Sequence, residues 1–131
     1  MPDSKSIRVL IVDDSLAMRR SVGMLLRAMK AQTVEAADGV EALSLLRVAE
    51  YDLVLTDINM PSLNGFGLLQ AIKADDSLKH VPVLMMTLDP RTEDRALALE
   101  YGAAGLIAKP FTRAELEGVI RQALESRAAT A

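Results

Sequence analysis

Five short, mostly apolar segments alternate with five longer segments of helical character, and this alternation restricts the fold most. Runs of strand length occupy residues 7–12, 33–36, 53–55, 81–86 and 105–108. Strands that alternate with helices pair in parallel, because each helix carries the chain back to the starting edge of the sheet. The chain is therefore predicted to be a single α/β domain, with one parallel sheet covered by helices on both faces.

Capping residues mark where several helices begin. Asp14 or Ser15 can cap the first helix, and residues 112–115 have the spacing of a capping box at the start of the fifth. Pro90 suits the first turn of the fourth helix. The third helix is expected after a turn at residues 61–65, where the Asn-Gly pair favours positive φ.

Further signals predict where helices end and where the domain ends. Gly102 is expected to stop the fourth helix. The second helix is expected over about residues 40–50, and the fifth to about Glu125. On these boundaries residues 1–6 form a short lead, residues 7–125 the domain, and residues 126–131 a frayed tail.

Composition excludes several classes of protein. The net charge is −3, which gives no support for nucleic-acid binding, since that needs a basic surface. The chain has no cysteine, so disulfides and thiolate metal sites are excluded. It lacks a stretch of signal-peptide or membrane-span character. We expect a soluble cytoplasmic protein that does not bind membranes, and nothing in the sequence favours a stable dimer over a monomer.

Polar residues follow four of the five predicted strands. Asp13 and Asp14 come after the first, Asp57 after the third, Thr87 after the fourth and Lys109 after the fifth. In a parallel sheet these points share one edge, where ligands of such folds collect. Residues distant in sequence are therefore expected to converge there.

The chemistry of these groups is complementary. Three clustered carboxylates repel one another, by roughly 4 kcal/mol for a pair at ~4 Å and an effective dielectric near 20. Oxygen ligands of this kind suit Mg²⁺. With Asp13 and Asp14 in the metal site, Asp57 can act as nucleophile, and Thr87 and Lys109 can hold a phosphoryl group.

Each residue alone has an ordinary structural interpretation. An Asp after a strand commonly caps the next helix or turn, and this applies to Asp13, Asp14 and Asp57. A Thr at a strand end and a Lys before a proline are also common. The presence of all the groups of one reaction at four strand ends favours a phosphoryl-transfer site.

These residues resemble the receiver domain of two-component response regulators, and more closely its stand-alone, CheY-like members. The similarity extends over about residues 7–124. It is carried by Asp13-Asp14-Ser15, by Thr56-Asp57-Ile58-Asn59-Met60-Pro61, by Asn64-Gly65, by Met86-Thr87 and by Gly102 to Phe111.

The resemblance implies a doubly wound, flavodoxin-like sheet of order 2-1-3-4-5 and a Mg²⁺ ion in the acid pocket. It implies phosphoryl transfer from a histidine kinase or phosphotransfer protein onto Asp57, with the backbone carbonyl of Asn59 as a further metal ligand. It also implies a binding switch rather than an enzyme. Thr87 moves toward the phosphoryl group, and the surface of helix 4, strand 5 and helix 5 changes its protein target.

Three residues depart from the family pattern, and one of them, Asn64 in place of the usual Asp, lies in the predicted turn and is expected to matter little. Leu106 occupies the fifth-strand position of an aromatic switch residue and has no hydroxyl group. Leu88 follows Thr87 where a small residue is usual, so it is expected to crowd the pocket and prolong the life of the phosphoryl group. These departures leave open a phosphorylation-independent interaction module. A small aspartyl-phosphate phosphatase is a further alternative, although Asn59 stands where such an enzyme needs a second acid.

The first helix is basic, with Arg19, Arg20, Arg27 and Lys30. A solvated charged face is the ordinary interpretation of such a helix. The resemblance adds a second one, selection of the partner kinase. The sequence identifies neither that kinase nor the downstream target.

Overall fold

The computed structural model of the protein describes residues 6–60, 63–89 and 92–130. The strands are β1 (Arg8–Val12), β2 (Gln32–Ala36), β3 (Leu53–Asp57), β4 (Val83–Thr87) and β5 (Gly105–Ala108). The helices are α1 (Leu16–Ala28), α2 (Gly39–Val48), α3 (Gly65–Ala74), α4 (Thr92–Glu100) and α5 (Arg113–Thr130). Strands and helices alternate throughout, which confirms the predicted α/β class.

All four strand pairs are parallel, and the strand order is β2-β1-β3-β4-β5. The order is the doubly wound one that the resemblance implied. Because the chain leaves β1 toward β2 on one side and later returns to β3 on the other, the strand order reverses beside β1. In open α/β sheets this reversal leaves a crevice at the carboxyl ends of the strands.

Two apolar clusters cover the two faces of the sheet. Side chains alternate along each strand, so Val54 contributes to the cluster under α2 and α3, while Leu53 and Leu55 contribute to the cluster under α1 and α5. Every residue of β3 and β4 is buried. These strands are apolar without alternation because both of their faces are covered.

Capping contacts explain most helix starts. Ser15, rather than Asp14, caps α1, and its hydroxyl accepts a hydrogen bond from the Met18 N–H at 3.2 Å. The predicted capping box before α5 is present: Thr112 Oγ1 accepts from the Glu115 N–H at 3.1 Å, and Glu115 Oε1 accepts from the Thr112 N–H at 2.8 Å. Gly102 follows α4 with φ of +93°, as expected for a residue that ends a helix.

Some boundary predictions were wrong. Asn64 has φ of −77° and caps α3 through its side chain, so it does not take the positive φ expected for a turn. Helix α5 continues to Thr130, and the segment expected to fray after Glu125 is therefore helical through that residue. Helix α2 begins at Gly39 and ends at Val48, slightly earlier at both ends than expected.

Two predictions on prolines, the turn at Pro61 and the first-turn position of Pro90, lie outside the described residues. The Lys109–Pro110 peptide bond is cis. Among the helices of the described ranges, none combines the length and the apolar character that crossing a membrane requires.

Candidate phosphoryl-transfer site

The carboxyl ends of the central strands bring the predicted residues to one edge of the sheet. The Asp13 N–H extends the β1–β2 ladder by donating to the Ala36 carbonyl at 3.1 Å. Asp57 is the last residue of β3, and Thr87 is the last residue of β4. The Lys109 N–H donates to the Thr87 carbonyl at 2.7 Å, which fixes the chain just beyond β5. The sheet itself therefore places these side chains.

Asp13, Asp14 and Asp57 form one carboxylate cluster. One oxygen from each lies within 4.8 Å of the others. Asp13 and Asp57 are buried, whereas Asp14 is exposed. The cluster is thus open to solvent on one side and closed by the protein on the other.

Lys109 bridges the two buried carboxylates. Its Nζ lies 3.1 Å from Asp13 Oδ2 and 3.0 Å from Asp57 Oδ1. The Lys109 side chain is only 8% exposed, so the ion pairs lie largely out of water. Burial opposes the charge of Lys109, but the hydrogen bonds and charges of Asp57 and Asp13 outweigh it and raise the pKa of the lysine. The ammonium group is therefore a fixed positive charge.

The ionisation of Asp57 reflects a balance of opposing effects. Burial raises the pKa of the Asp57 carboxyl most strongly, Lys109 lowers it, and the charges of Asp13 and Asp14 raise it further. The net result is a raised pKa. The ionised form is consequently stabilised less than its single lysine contact would suggest, and one positive charge does not balance three carboxylates.

The residues present fit a hard divalent cation. The donor set is oxygen only, the three carboxylate oxygens are close enough to share one ion, and their excess negative charge is uncompensated by Lys109. Asp13, Asp14 and Asp57 would hold the ion, and the exposed side would leave room for water or phosphate oxygens, as Mg²⁺ requires.

Thr87 lies at this edge with its hydroxyl already occupied. The residue is buried, its Oγ1 donates to the Asp89 carbonyl at 3.0 Å, and the same oxygen accepts from the Asp89 N–H at 3.0 Å. Both bonds hold the hydroxyl in the loop after β4. Contact of Thr87 with a phosphoryl group on Asp57 would therefore require this local pair of bonds to break.

The other predicted residues lie around the site. Asn59 is exposed two residues beyond β3, and its carbonyl remains a predicted ligand. Leu106 is half-buried in β5 opposite Met85 and packs against the core cluster under α2 and α3. Leu88 is 78% exposed. A side chain so exposed does not fill the pocket, so the structure argues against the expected crowding by Leu88.

Two contributors to the site were not predicted. Arg19, assigned to a solvated or partner-binding face, turns inward and donates to the Asp13 carbonyl. Gly65 lies against the backbone of Asp57 and Ile58, where a Cβ atom would collide with both, and its N–H donates to the Ile58 carbonyl at 2.9 Å. Glu35, a charged residue within a predicted strand, could have indicated the inward position of Arg19. A largely buried arginine needs a negatively charged partner, and Glu35 is that partner.

Comparison with known proteins agrees with this geometry. The family model described as the response regulator receiver domain matches residues 9–121. The chemotaxis protein CheY-3 of Vibrio cholerae is 46% identical over 115 residues, which covers 87% of this chain and 88% of that protein.

Solved structures show the same architecture. Chemotaxis response regulator CheY4 of Vibrio cholerae superposes with a TM-score of 0.86 at 32% identity, over 92% of this chain and all of that chain. The receiver domain of a sensor histidine kinase from Pseudomonas aeruginosa has a TM-score of 0.84 at 27% identity, over 92% of this chain and 99% of its own. That receiver domain is described with a magnesium ion coordinated in its active-site cleft.

Proposed function

The chain belongs to the response regulator receiver domain family, and we propose that it accepts a phosphoryl group on Asp57. The donor is a sensor histidine kinase or a histidine phosphotransfer protein. The phosphorylated protein then acts as a binding switch for a downstream protein. The observation that carries the proposal is the convergence of two further carboxylates, Asp13 and Asp14, and the buried Lys109 side chain on Asp57.

The reaction is a transfer between two nucleophiles. A carboxylate oxygen of Asp57 attacks the phosphorus atom and forms a P–O bond. The P–N bond to the donor imidazole breaks, its electron pair stays on nitrogen, and that nitrogen takes a proton from solvent. Attack needs the ionised carboxylate, which Lys109 favours through its contact with Asp57 at 3.0 Å.

Charge stabilisation is the main task of such a site, since the phosphoryl group carries negative charge throughout the transfer. A divalent ion, when bound by Asp13, Asp14 and Asp57, supplies positive charge to the phosphoryl oxygens. Lys109 Nζ contacts Asp57 from the buried side of the site. In the phosphorylated protein it can contact one of the phosphoryl oxygens. The Asn59 carbonyl is proposed as a further metal ligand.

The switch is proposed to begin at Thr87. Its hydroxyl would exchange the Asp89 backbone for a phosphoryl oxygen, which would release the loop before α4. Leu106 lies on β5 and lines a groove with Gly118 and Val119 of α5. We propose that the α4–β5–α5 surface carries the change in partner binding, with rotamer change of Leu106 in place of an aromatic rotation.

The protein is proposed to act as a cytoplasmic monomer that is not itself an enzyme. A second candidate, an interaction module that works without phosphorylation, is favoured by Leu106 alone, because a leucine cannot form a new hydrogen bond at the surface. Partner binding that persists in Asp57→Asn at wild-type strength would favour this candidate. Catalytic turnover of a small phosphate ester would instead favour a phosphatase.

Incubation with acetyl phosphate and Mg²⁺ tests the acceptor directly. Mass spectrometry is expected to show one added phosphoryl group on the wild-type protein and none on Asp57→Asn. Asp76→Asn, which changes an exposed carboxylate away from the site, is expected to behave as wild type. Failure of the wild type to take up phosphate from acetyl phosphate and from phosphorylated histidine kinases would refute the assignment.

A further inference from the structure

Arg19 connects three elements beside the carboxylate cluster. From α1 its Nη1 donates to the Asp13 carbonyl at 2.7 Å, and its Nε donates to Glu35 Oε1 on β2 at 3.0 Å. The Arg19 side chain is 14% exposed and that of Glu35 25% exposed. Glu35 pairs with Ile11 in the β1–β2 register, so it lies beside the strand that ends at the site.

These contacts complete the restraint of Asp13. Its N–H donates to the Ala36 carbonyl, its Oδ1 accepts from the Ser15 N–H at 2.9 Å, and its Oδ2 contacts Lys109. Arg19 holds the remaining backbone group, the carbonyl. Asp13 is 1% exposed, so this carbonyl has little access to water as a substitute donor.

The held carbonyl belongs to the peptide plane that joins Asp13 to Asp14. The orientation of that plane sets ψ of Asp13 and φ of Asp14, and hence the direction of the Cα–Cβ bond of Asp14 relative to Asp13. Asp14 is exposed, so packing does not fix its side chain, and the backbone limits the region that its carboxylate can reach. Holding this carbonyl thus limits where the Asp14 carboxylate can lie relative to the Asp13 carboxylate, which Ser15 and Lys109 hold.

Given the proposed function, on which this inference rests, we infer that Arg19 is a positioning residue for the metal site. Held by Glu35, it fixes the Asp13–Asp14 peptide so that both carboxylates face the position of the cation before the cation binds. Arg19 does not touch the reacting atoms. Contacts of this kind around metal ligands typically change metal affinity by about 10–100-fold.

Arg20 provides a matched control within the same helix. It has the same side chain and also approaches Glu35, at 3.8 Å, but it is 67% exposed. The two arginines therefore carry equal charge near the same site, and only Arg19 makes the carbonyl contact at 2.7 Å.

Loss of the charge of Arg19 and loss of its positioning contact change the Mg²⁺ affinity in opposite directions. Removing a positive charge near a cation site strengthens cation binding through Coulomb attraction. Loss of a positioning contact weakens binding, because the ligands must then be ordered when the ion binds. The direction of the change therefore separates the two effects.

The experiment measures the Mg²⁺ affinity of the unphosphorylated protein by isothermal titration calorimetry, with circular dichroism to establish folding. Arg19→Met is expected to bind Mg²⁺ about 10-fold more weakly than wild type. Arg20→Met is expected to remain within about twofold of wild type or to bind slightly more tightly. Arg19→Lys, which can make only part of the contact pair, is expected to lie between them.

Unchanged or tighter Mg²⁺ binding in Arg19→Met, or equal weakening in Arg20→Met, would overturn the positioning role. If Arg19→Met does not fold, Arg19→Lys and Glu35→Gln decide the question, and wild-type affinity in both would overturn it. Absence of Mg²⁺ binding in the wild type would instead refute the metal site itself and the proposed function with it.

Discussion

Replacing Asp57, the proposed phosphoacceptor, should stabilise the metal-free protein. In Asp57→Asn the carboxylate cluster loses one of its three negative charges, while Lys109 keeps its contact with Asp13 at 3.1 Å. The substitution preserves the volume of the side chain. It therefore isolates the free energy of holding a third carboxylate in this pocket without an ion.

The magnitude follows from the distances. At the 4.8 Å limit of the cluster, each of the two repulsions on Asp57 is roughly 3.5 kcal/mol at an effective dielectric near 20. The attraction to Lys109 at 3.0 Å is roughly 5.5 kcal/mol on the same scale. Screening of exposed Asp14 brings these opposing contributions close to balance. The cost of desolvating ionised Asp57 then makes the net effect of this carboxylate on stability unfavourable. We therefore expect the free energy of unfolding to rise by on the order of 1 kcal/mol in Asp57→Asn.

Thermal and urea unfolding, followed by circular dichroism with EDTA and then with Mg²⁺, test this expectation. A gain of ~1 kcal/mol corresponds to a rise in Tm of about 4 °C for a domain of this size. Saturating Mg²⁺ should make the wild type more stable than Asp57→Asn. At 100 times its Kd, the ion stabilises the wild type by ~2.7 kcal/mol, and the variant has lost one ligand. Asp76→Asn should show neither effect.

The pH dependence provides an independent measure. Because burial raises the native pKa of Asp57 above its ordinary value of 3.8, ionised Asp57 destabilises the native state at every pH above that raised pKa. As the pH falls below that raised pKa, native Asp57 takes up a proton before the unfolded chain does, and the penalty declines until it is lost near the ordinary value of 3.8. The stability difference between Asp57→Asn and wild type in EDTA should therefore shrink on acidification. A wild type more stable than Asp57→Asn in EDTA at neutral pH, or a difference that grows in acid, would refute the reasoning.

Four further substitutions, one of them a control, test other parts of the structure. Lys109→Met leaves two buried carboxylates without their shared partner, and urea unfolding in EDTA should show a loss of about 3 kcal/mol, part of which Mg²⁺ restores; equal losses with and without Mg²⁺ would contradict this. Gly65→Ala places a methyl group against the Asp57 backbone and should destabilise the protein by about 1–3 kcal/mol. The control Gly118→Ala, in a helix with open space around the residue, should stabilise the protein by up to ~1 kcal/mol. Similar effects of the two substitutions would show that the close approach of Gly65 to the Asp57 backbone is unimportant. Leu88→Ala should leave the lifetime of the phosphoryl group within about twofold, since surface substitutions change free energies by ~0.5 kcal/mol or less; a large change in decay of the radiolabelled protein would restore a role for Leu88 in the pocket.

Much of the site could be read from the order of residues along the chain. Asp13, Asp57 and Lys109 each follow an apolar run of strand length, and parallel pairing brings the ends of such runs together whatever the details of packing. Local capping chemistry was also legible, as the Thr112–Glu115 pair shows. Both kinds of inference depend on short-range patterns and on one general property of parallel sheets.

Predictions that depended on side-chain direction were less successful. Leu88 was expected in the pocket because it follows Thr87, yet it extends into solvent. Arg19 was expected on a charged surface, yet it reaches the Asp13 carbonyl. Residues adjacent in sequence point in different directions, and the partner that captures a long side chain lies on an element distant along the chain.

The sequence by itself determined the fold class, the edge of the sheet where the candidate site lies and the choice of Asp57 as the proposed acceptor, because periodicity and strand-end residues are local properties. Only the tertiary structure decided how that edge is held. The bridge from Lys109 to Asp13 spans 96 positions of sequence separation, and the Arg19–Glu35 pair joins a helix to a strand. Such contacts depend on the relative placement of elements to within an ångström, which residue patterns do not encode.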